Sequence, residues 1–261
     1  MDRHKDFASY VELKKKVFTH QTQKDFLILN QDDPNTRDLG KDCPAECVLF
    51  STQAELEKGV FLRGDKIIAR LNNSEMEVLS LESLSRGMQW QVENILPAIA
   101  TALLFNLPQD GIEHALKNFA SLEHRLEWVR NLNGVDFIND SKGTNVGSVC
   151  KSLNTFNRPI ILIVGGKDKG ADFSPLKTLM KEKVKHLVLI GETRKKFKGI
   201  LNGSFGYEES ENLEEAVSLA RAKAEDGDIV LLSPACSSFD MFKDYMDRGT
   251  CFKTIVKNLK G

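Results

Sequence analysis

The apolar positions in the first part of the chain predict a small sheet followed by two helices. Apolar residues among lysines predict an amphipathic helix from Phe7 to Thr19. Compact apolar runs predict strands, which are Phe26 to Leu29, Cys47 to Ser51 and a hairpin over Val60 to Leu71 that turns at Arg63 to Asp65. Helical spacing then returns from Val92 to Leu104 and from Asp110 to Phe119. We expect these elements to form one domain, residues 1–122.

From residue 123 onward, apolar runs alternate regularly with helical patterns. The runs are Val135 to Ile138, Ile160 to Val164, Leu187 to Ile190 and Ile229 to Leu232. Helices are predicted from Asn145, Ser174, Thr193 and Leu213, and a last one from Phe239 to Leu259. The segment Glu123 to Trp128 is interpreted as the connection between the domains. Because such alternation is typical of α/β proteins, it predicts a mostly parallel, doubly wound sheet over residues 123–261.

Polar residues follow three of these runs, at the point where each predicted strand ends. They form the stretches Asn139 to Asn145, Gly165 to Asp172 and Ser233 to Ser238. Ligands of open parallel sheets bind beyond the carboxyl ends of the strands. Lysines, hydroxyls and helix N-termini at one edge predict a clamp for a small dianion such as a dicarboxylate. The same residues also fit tight turns and helix caps, and the pattern alone leaves both interpretations open.

Composition and charge limit the classes of partner that we expect for this chain. The 261 residues carry 36 basic and 37 acidic side chains, a net charge of −1, so no global field attracts nucleic acid or an anionic membrane. No apolar run approaches the length of a membrane span, and the first residues do not resemble a secretion signal. Five cysteines, an odd and sparse set, favour reduced thiols. We therefore expect a cytoplasmic protein with neither a nucleic-acid nor a membrane partner.

The glycines do not identify a nucleotide site by themselves. Gly165 and Gly170 have the spacing of a Walker loop, but Ala171 and Asp172 stand where a lysine and a hydroxyl residue are required. The dinucleotide pattern GxGxxG does not occur. A nicotinamide-dependent oxidoreductase, which the doubly wound pattern alone would allow, is therefore not expected.

Four groups of residues in the second part of the chain resemble the Mur ligases. They are His124 and Arg125 with Glu127; Asn139 to Asn145; Gly165 and Gly166 with Lys169; and Leu231 to Phe242 with Arg248 and Gly249. In the first part, the residues that resemble the family's central domain are Asp2, Arg3, Tyr10, Lys14, Asn30, Asp32 and Asp33. The resemblance covers the whole chain. It implies part of a central P-loop-type ATPase domain followed by a Rossmann-like C-terminal domain that binds an amino acid.

The same resemblance implies an activity. It is greatest to those family members that add D-glutamate to UDP-N-acetylmuramoyl-L-alanine in peptidoglycan precursor synthesis. These are ATP-dependent carboxylate–amine ligases that use magnesium and proceed through an acyl phosphate. The expected cofactors are therefore ATP and Mg²⁺, the expected partners are the two substrates, and the chain is expected to be a monomer.

Individual roles follow from the resemblance, position by position. The catalytic residues are expected to be Lys14, which would also hold the metal as a carbamate, His124 and Lys142. The nucleotide is expected at Asn94, Arg125 and Asp140. The D-glutamate pocket is expected to contain Thr144, Lys169, Ser238, Phe239 and Tyr245. Two departures are visible: Trp90 and Gln91 replace residues of the family's adenine motif, and Tyr245 stands where phenylalanine is usual.

Several family parts have no counterpart in this sequence. They are the UDP-binding domain, the GTNGK[ST] phosphate loop and a magnesium-binding histidine. We therefore expect an incomplete and inactive fragment. Two alternatives are a Mur-like ligase of the folylpolyglutamate synthase type and a non-catalytic remnant that binds an amino acid or a nucleotide.

Overall fold

The computed structural model describes residues 5–201 and 206–260. It divides into two compact units, Met1–Ala120 and Ser121–Gly261. Asp2 and Arg3, which contribute to the family resemblance, lie outside the described residues.

The first unit contains one mixed sheet and a small number of helices. Its strands are β1 (Phe26–Asn30), β2 (Glu46–Ser51), β3 (Gly59–Arg63), β4 (Lys66–Leu71) and β5 (Ser74–Ser80). Its helices are α1 (Phe7–Lys15), α2 (Arg86–Gln89), α3 (Val92–Leu104) and α4 (Gln109–Asn118), with 3₁₀ turns at Lys16–Phe18, Leu39–Asp42 and Leu81–Ser83. The sheet runs in chain order, parallel from β1 to β3 and antiparallel from β3 to β5.

The core of this unit lies between the sheet and α3. Ile95, Leu96 and Ile99 of α3 pack with Val48 and Val60 of the central strands, and these side chains are almost fully buried. The spacing of the three α3 residues places them on one face of the helix, as the sequence predicts. The predicted strands, the hairpin at Gly64 and the α3 helix are therefore confirmed.

The second unit is a doubly wound sheet. Its strands are β6 (Glu127–Leu132), β7 (Val135–Asn139), β8 (Ile160–Gly165), β9 (Val184–Ile190), β10 (Tyr207–Glu209) and β11 (Ile229–Leu232). Its helices are α5 (Val146–Thr155), α6 (Leu176–Lys183), α7 (Arg194–Leu201), α8 (Leu213–Lys223) and α9 (Tyr245–Asn258). The strand order is β10-β9-β8-β11-β7-β6, parallel throughout except for β6. The predicted α/β class and parallel sheet are confirmed.

The strand order determines where the loops that follow β7, β8 and β11 meet. Strand β11 returns between β7 and β8, and its last residue, Leu232, lies level with Asn139 of β7 and Ile163 of β8. Every residue of these three strands is buried, because helices cover both faces of a parallel sheet. The carboxyl ends of the three strands therefore open at one place.

One boundary prediction was wrong. The last helix begins at Tyr245 rather than Phe239, because the Asp244 side chain accepts a hydrogen bond from the amide of Asp247 and caps the helix there. The segment interpreted as a domain connection, Glu123 to Trp128, follows the division of the chain at Ala120, and its last two residues begin β6, which pairs antiparallel with β7. Strands β5, β6 and β10 were not predicted from the sequence.

One ion pair of the second unit yields a stability prediction. The Asp136 side chain is buried in β7, and Arg158 donates to it over 2.6 Å and also to the carbonyl oxygens of Gly227 and Asp228. Removing one partner of a buried pair leaves an uncompensated charge, which costs about 3–5 kcal/mol when both partners are buried. Since 40% of the Arg158 side chain is exposed, we expect Arg158→Met to lower the free energy of unfolding by about 2 kcal/mol.

Urea unfolding measures this difference. The matched control is Lys198→Met, which breaks the exposed pair between Lys198 and Glu209 and should change the free energy of unfolding by less than about 0.5 kcal/mol. Equal effects of the two substitutions would contradict the assignment.

Candidate functional site

Three loops meet at the carboxyl ends of β7, β8 and β11. We call them loop A (residues 140–145), loop B (residues 166–175) and loop C (residues 233–244). Backbone hydrogen bonds join them: Ala235 of loop C donates to Gly143 of loop A over 2.8 Å, and Lys167 of loop B donates to Ser237 of loop C over 2.9 Å. The three polar stretches noted in the sequence are therefore one continuous surface.

Asp140 is the most enclosed acid of this surface. Only 5% of it is exposed, and its Oδ2 accepts hydrogen bonds from Ser152 over 2.7 Å and from Ser233 over 2.6 Å. Burial raises the pKa of the Asp140 carboxyl, and the two hydroxyls and the charge of Arg125 partly oppose that rise. The structure thus brings Arg125 and Asp140, two of the predicted nucleotide residues, close enough to interact.

Loop B depends on glycines at its start. Gly165 and Gly166 have φ of +122° and +147°, values that favour glycine. A Cβ on Gly166 would lie 2.4 Å from the carbonyl oxygen of Ser237, so this position also requires the absence of a side chain. These two residues bring the backbone of loop B against loop C and carry the chain toward Lys169.

Two lysines of the site stand over aromatic rings of the segment that follows β11. The Lys142 ammonium lies 3.8 Å from the ring centroid of Tyr245, and that of Lys169 lies 5.5 Å from the centroid of Phe239. Such contacts are attractive because the ring face carries negative charge density. The structure therefore brings four predicted site residues together as two cation–ring pairs.

The hydroxyl residues of the predicted pocket lie in loops A and C. Thr144 is half-buried just before Asn145, whose side chain caps α5 by accepting the amide of Ser148. Ser238 is buried, and its carbonyl oxygen accepts the amides of Met241 and Phe242. Both residues thus lie in the loops at the sheet edge.

His124 lies underneath loop A, with only 4% of its surface exposed and a φ of +66°. Its Nδ1 accepts from the Asn139 amide over 2.9 Å, and its carbonyl oxygen accepts from the amide of Lys142. Burial lowers the pKa of the imidazole, so the neutral form dominates near pH 7. The ring packs against Tyr245 with centroids 6.0 Å apart. In this position His124 supports loop A, while its catalytic role stays a prediction.

The predicted residues of the first unit lie on its helices. Lys14 is exposed in α1, with its ammonium 5.3 Å from the ring centroid of Tyr10. Asn94 is exposed in the first turn of α3, near the Gln91 side chain. Within residues 5–201 and 206–260, no group of three or more His, Cys, Asp or Glu residues could hold a metal ion. The role of Lys14 as a carbamate that holds the metal stays a prediction.

Sequence reasoning assigned no role to several residues that build the site. Arg248 is buried in α9 and donates to both Ser141 and Cys236, although the sequence showed it only as part of a family pattern. Ser152 and Ser233 hold Asp140. Their signal in the sequence was a hydroxyl or a charge at positions where helical or strand spacing predicts burial.

No helix in the described part of the chain is both long and apolar enough to cross a membrane.

Comparisons with known families and proteins agree across the chain. The family described as "Mur ligase middle domain" matches residues 1–114, and the one described as "Mur ligase, glutamate ligase domain" matches residues 124–236. The chain is 42% identical over 259 residues to the UDP-N-acetylmuramoylalanine--D-glutamate ligase of Geotalea uraniireducens, covering 99% of this chain and 57% of that protein. It is 41% identical over 264 residues to the ligase of the same name from Natranaerobius thermophilus, covering 100% and 57%.

Solved structures agree on the fold. A pseudomurein peptide ligase type C from Methanothermus fervidus has a TM-score of 0.67 at 18% identity, covering 98% of this chain and 60% of that one. MurF ligase from Thermotoga maritima in complex with ADP has a TM-score of 0.61 at 16% identity, covering 97% and 58%. The chain thus spans a little over half the length of its curated relatives. With a middle-domain segment followed by a glutamate ligase domain, the chain belongs to the Mur ligase family.

Proposed function

We propose that this chain is part of an ATP-dependent ligase that joins D-glutamate to UDP-N-acetylmuramoyl-L-alanine in peptidoglycan precursor synthesis. The observation that carries the proposal is the junction of loops A, B and C, where lysines and hydroxyls meet beside a buried aspartate. The names of the relatives that are about 40% identical support the choice of substrate.

The amino acid binds at the loop junction in this proposal. Lys169 and the hydroxyls of Thr144 and Ser238 supply donors for the two carboxylates, which cannot be desolvated without such partners. Phe239, with 63% of its surface exposed, offers an apolar face for the methylene groups of the substrate. The site therefore fits a short dicarboxylate with a free amine.

In this proposal the nucleotide binds at the start of loop A, beside Arg125 and Asp140. Arg125 pairs with its phosphates, and the Asp140 carboxylate accepts a ribose hydroxyl. Lys142, two residues from Asp140, neutralises negative charge on the phosphoryl group during transfer. Asn94 as an adenine contact stays a prediction from the family resemblance.

The chemistry requires activation of a carboxylate, which is a poor electrophile. The γ-phosphoryl group of ATP passes to the carboxylate of the L-alanine residue, and ADP leaves. The unprotonated amine of D-glutamate then attacks the acyl carbon, the C–O bond to phosphate breaks, and an amide remains. The positive side chains of loops A and B hold the two anions together without adding a covalent step.

A paired lysine experiment tests the amino-acid site. We expect Lys169→Met to weaken binding of D-glutamate to the chain by about 10- to 100-fold, because a charge-assisted hydrogen bond contributes about 1.5–3 kcal/mol. Lys167 is the matched control in the same loop, since its ammonium is paired with Glu192 over 2.7 Å. Lys167→Met should change the affinity less than threefold. Isothermal titration measures both.

The outcomes separate the candidate functions. No binding of D-glutamate by the unaltered chain, or equal losses in the two variants, would contradict the proposal. A preference for L-glutamate would instead favour a ligase of the folylpolyglutamate synthase type.

A further inference from the structure

Arg248 lies in the first turn of α9, with only 1% of its surface exposed. Among the described residues it is the one lysine or arginine that is buried. Burying a guanidinium is costly unless its donors are used and its charge is compensated. The surroundings of this residue therefore show what its burial achieves.

The Arg248 guanidinium joins two of the three loops. Its Nε donates to the Ser141 hydroxyl over 2.9 Å, and its Nη2 donates to the Ser141 carbonyl oxygen over 2.9 Å. The same Nη2 donates to the carbonyl oxygen of Cys236 over 3.2 Å. One rigid group thus fixes the distance between loop A and loop C.

The third loop packs against the same group. A Cβ on Gly166 would lie 3.3 Å from Nη1 of Arg248, so loop B passes directly beside the guanidinium. Nη1 itself is buried without a hydrogen-bond partner in the described structure. The Arg248 side chain therefore contacts all three loops.

The charge of Arg248 is not neutralised by a direct partner. Its three hydrogen bonds go to a hydroxyl and two carbonyl oxygens, and no carboxylate in the described residues forms an ion pair with it. Burial lowers the pKa of the guanidinium to about 10, which leaves it protonated at neutral pH. Asp140, the buried acid of loop A, has its own hydroxyl partners. A hydrophobic residue would be cheaper here if packing alone were required.

We propose that Arg248 is a positioning residue for the amino-acid substrate, which sets the spacing between loop A and loop C. This inference rests on the proposed function. Thr144 lies in loop A and Ser238 in loop C, two residues beyond the Cys236 carbonyl that Arg248 holds. A fixed spacing of these loops makes their hydroxyls match a dicarboxylate of one length. Lysine cannot replace Arg248, because a single ammonium does not reproduce the planar fork of donors.

The test compares Arg248→Lys and Arg248→Met with Arg130→Met in the full chain. Arg130 is a matched control because it serves the opposite end of α9, donating to the carbonyl oxygens of Val256, Lys257 and Leu259. Isothermal titration gives the affinities for D-glutamate and for D-aspartate, a dicarboxylate shorter by one methylene. Amide hydrogen exchange of Ala235, whose N–H donates to loop A, gives the junction's local stability without ligand.

We expect both Arg248 variants to bind D-glutamate at least tenfold more weakly and to discriminate less between D-glutamate and D-aspartate. Exchange at Ala235 should be at least tenfold faster. Arg130→Met should lower the unfolding temperature but leave the ratio of the affinities for D-glutamate and D-aspartate unchanged. The exchange rate at Ala235 should change in this variant only as far as the loss of global stability requires. Ser141→Ala, a smaller change that removes one acceptor of Arg248, should move both quantities in the same direction.

An Arg248→Lys chain with the normal affinity ratio and normal exchange at Ala235 would overturn the inference. So would a Ser141→Ala chain that is normal in both, should the Arg248 variants not fold. Failure of the proposed function looks different: the unaltered chain would not bind D-glutamate at all. The exchange at Ala235 would then still decide whether Arg248 fixes the loops.

Discussion

Asp140→Asn is expected to make the second unit more stable at pH 7–8 while weakening its binding of nucleotide. The free energy of unfolding should rise by about 0.5–2 kcal/mol, the usual gain from a single stabilising substitution. Binding of ADP should weaken by about 10- to 100-fold, since the variant lacks the carboxylate that the proposed function assigns to a ribose hydroxyl. Urea unfolding and isothermal titration measure the two effects.

The sign follows from the raised pKa of Asp140. The folded protein holds a proton on this carboxyl more tightly than the unfolded chain does, because burial disfavours the ionised form. Its stabilising contribution is fully present below the unfolded pKa of about 3.9 and is lost as pH rises through the folded value. Above the unfolded pKa, burial of this carboxyl therefore costs stability that it does not cost at lower pH. Asparagine does not ionise, so its advantage should appear at neutral pH and shrink toward pH 4.

The strand that leads into loop A supplies a control of opposite sign. Asp136 is buried in β7, but unlike Asp140 it accepts a hydrogen bond from Arg158 over 2.6 Å, and it accepts others from Trp128 and Asn131. Asp136→Asn removes the partner of a cation and should lower the free energy of unfolding by about 2 kcal/mol. A gain in both variants, or a loss in both, would contradict the view that, of these two acids, Asp140 alone is kept at a cost to stability.

The apolar runs predicted the central strands well because a parallel sheet covered on both faces needs continuous hydrophobic segments. Val135 to Ile138, Ile160 to Val164 and Ile229 to Leu232 differ from β7, β8 and β11 by at most one residue at an end. The convergence of the three polar loops also followed from this pattern, since parallel strands in one sheet end at the same edge.

The strands that were missed lack that constraint. β5 and β6 mix charged, polar and apolar side chains, and β10 has only three residues, so none contains a long apolar run. The end of loop C was misjudged for a different reason. Phe239 to Phe242 has helix-compatible residues, but the Ser238 carbonyl oxygen accepts two amides and closes a turn instead.

The contacts that support the site from inside could not be predicted from the sequence pattern, although a polar residue at a position of predicted burial marks some of the residues that make them. A buried arginine at residue 248 contradicts the usual preference of this residue type for the surface. Its partners, Ser141 and Cys236, are 107 and 12 residues away in the chain. Such contacts depend on the strand order, in which β11 returns between β7 and β8. Polar contacts of this kind can be located only in the three-dimensional structure.

Gly165→Ala is expected to destabilise the second unit more than any other single change considered. Gly165 ends β8 opposite Ile190 of β9 and has a φ of +122°. A Cβ at this position would lie 2.1 Å from the carbonyl oxygen of Ile190, a backbone atom that cannot move without disrupting the central sheet. Overpacking and backbone strain each cost about 1–3 kcal/mol, so together we expect a loss of about 3–5 kcal/mol.

The matched control lies five residues further along the chain. Gly170 also has a positive φ, +76°, but no atom lies within 4 Å of a Cβ added there. Gly170→Ala should therefore cost only the conformational term, about 1 kcal/mol. Equal unfolding midpoints for the two variants would show that the backbone at Ile190 can shift to accept the added Cβ. A larger loss of unfolding free energy at Gly165 would mean that the sheet fixes the point at which loop B begins. The position of Lys169, and with it the proposed amino-acid site, would then be set by the fold in the absence of ligand.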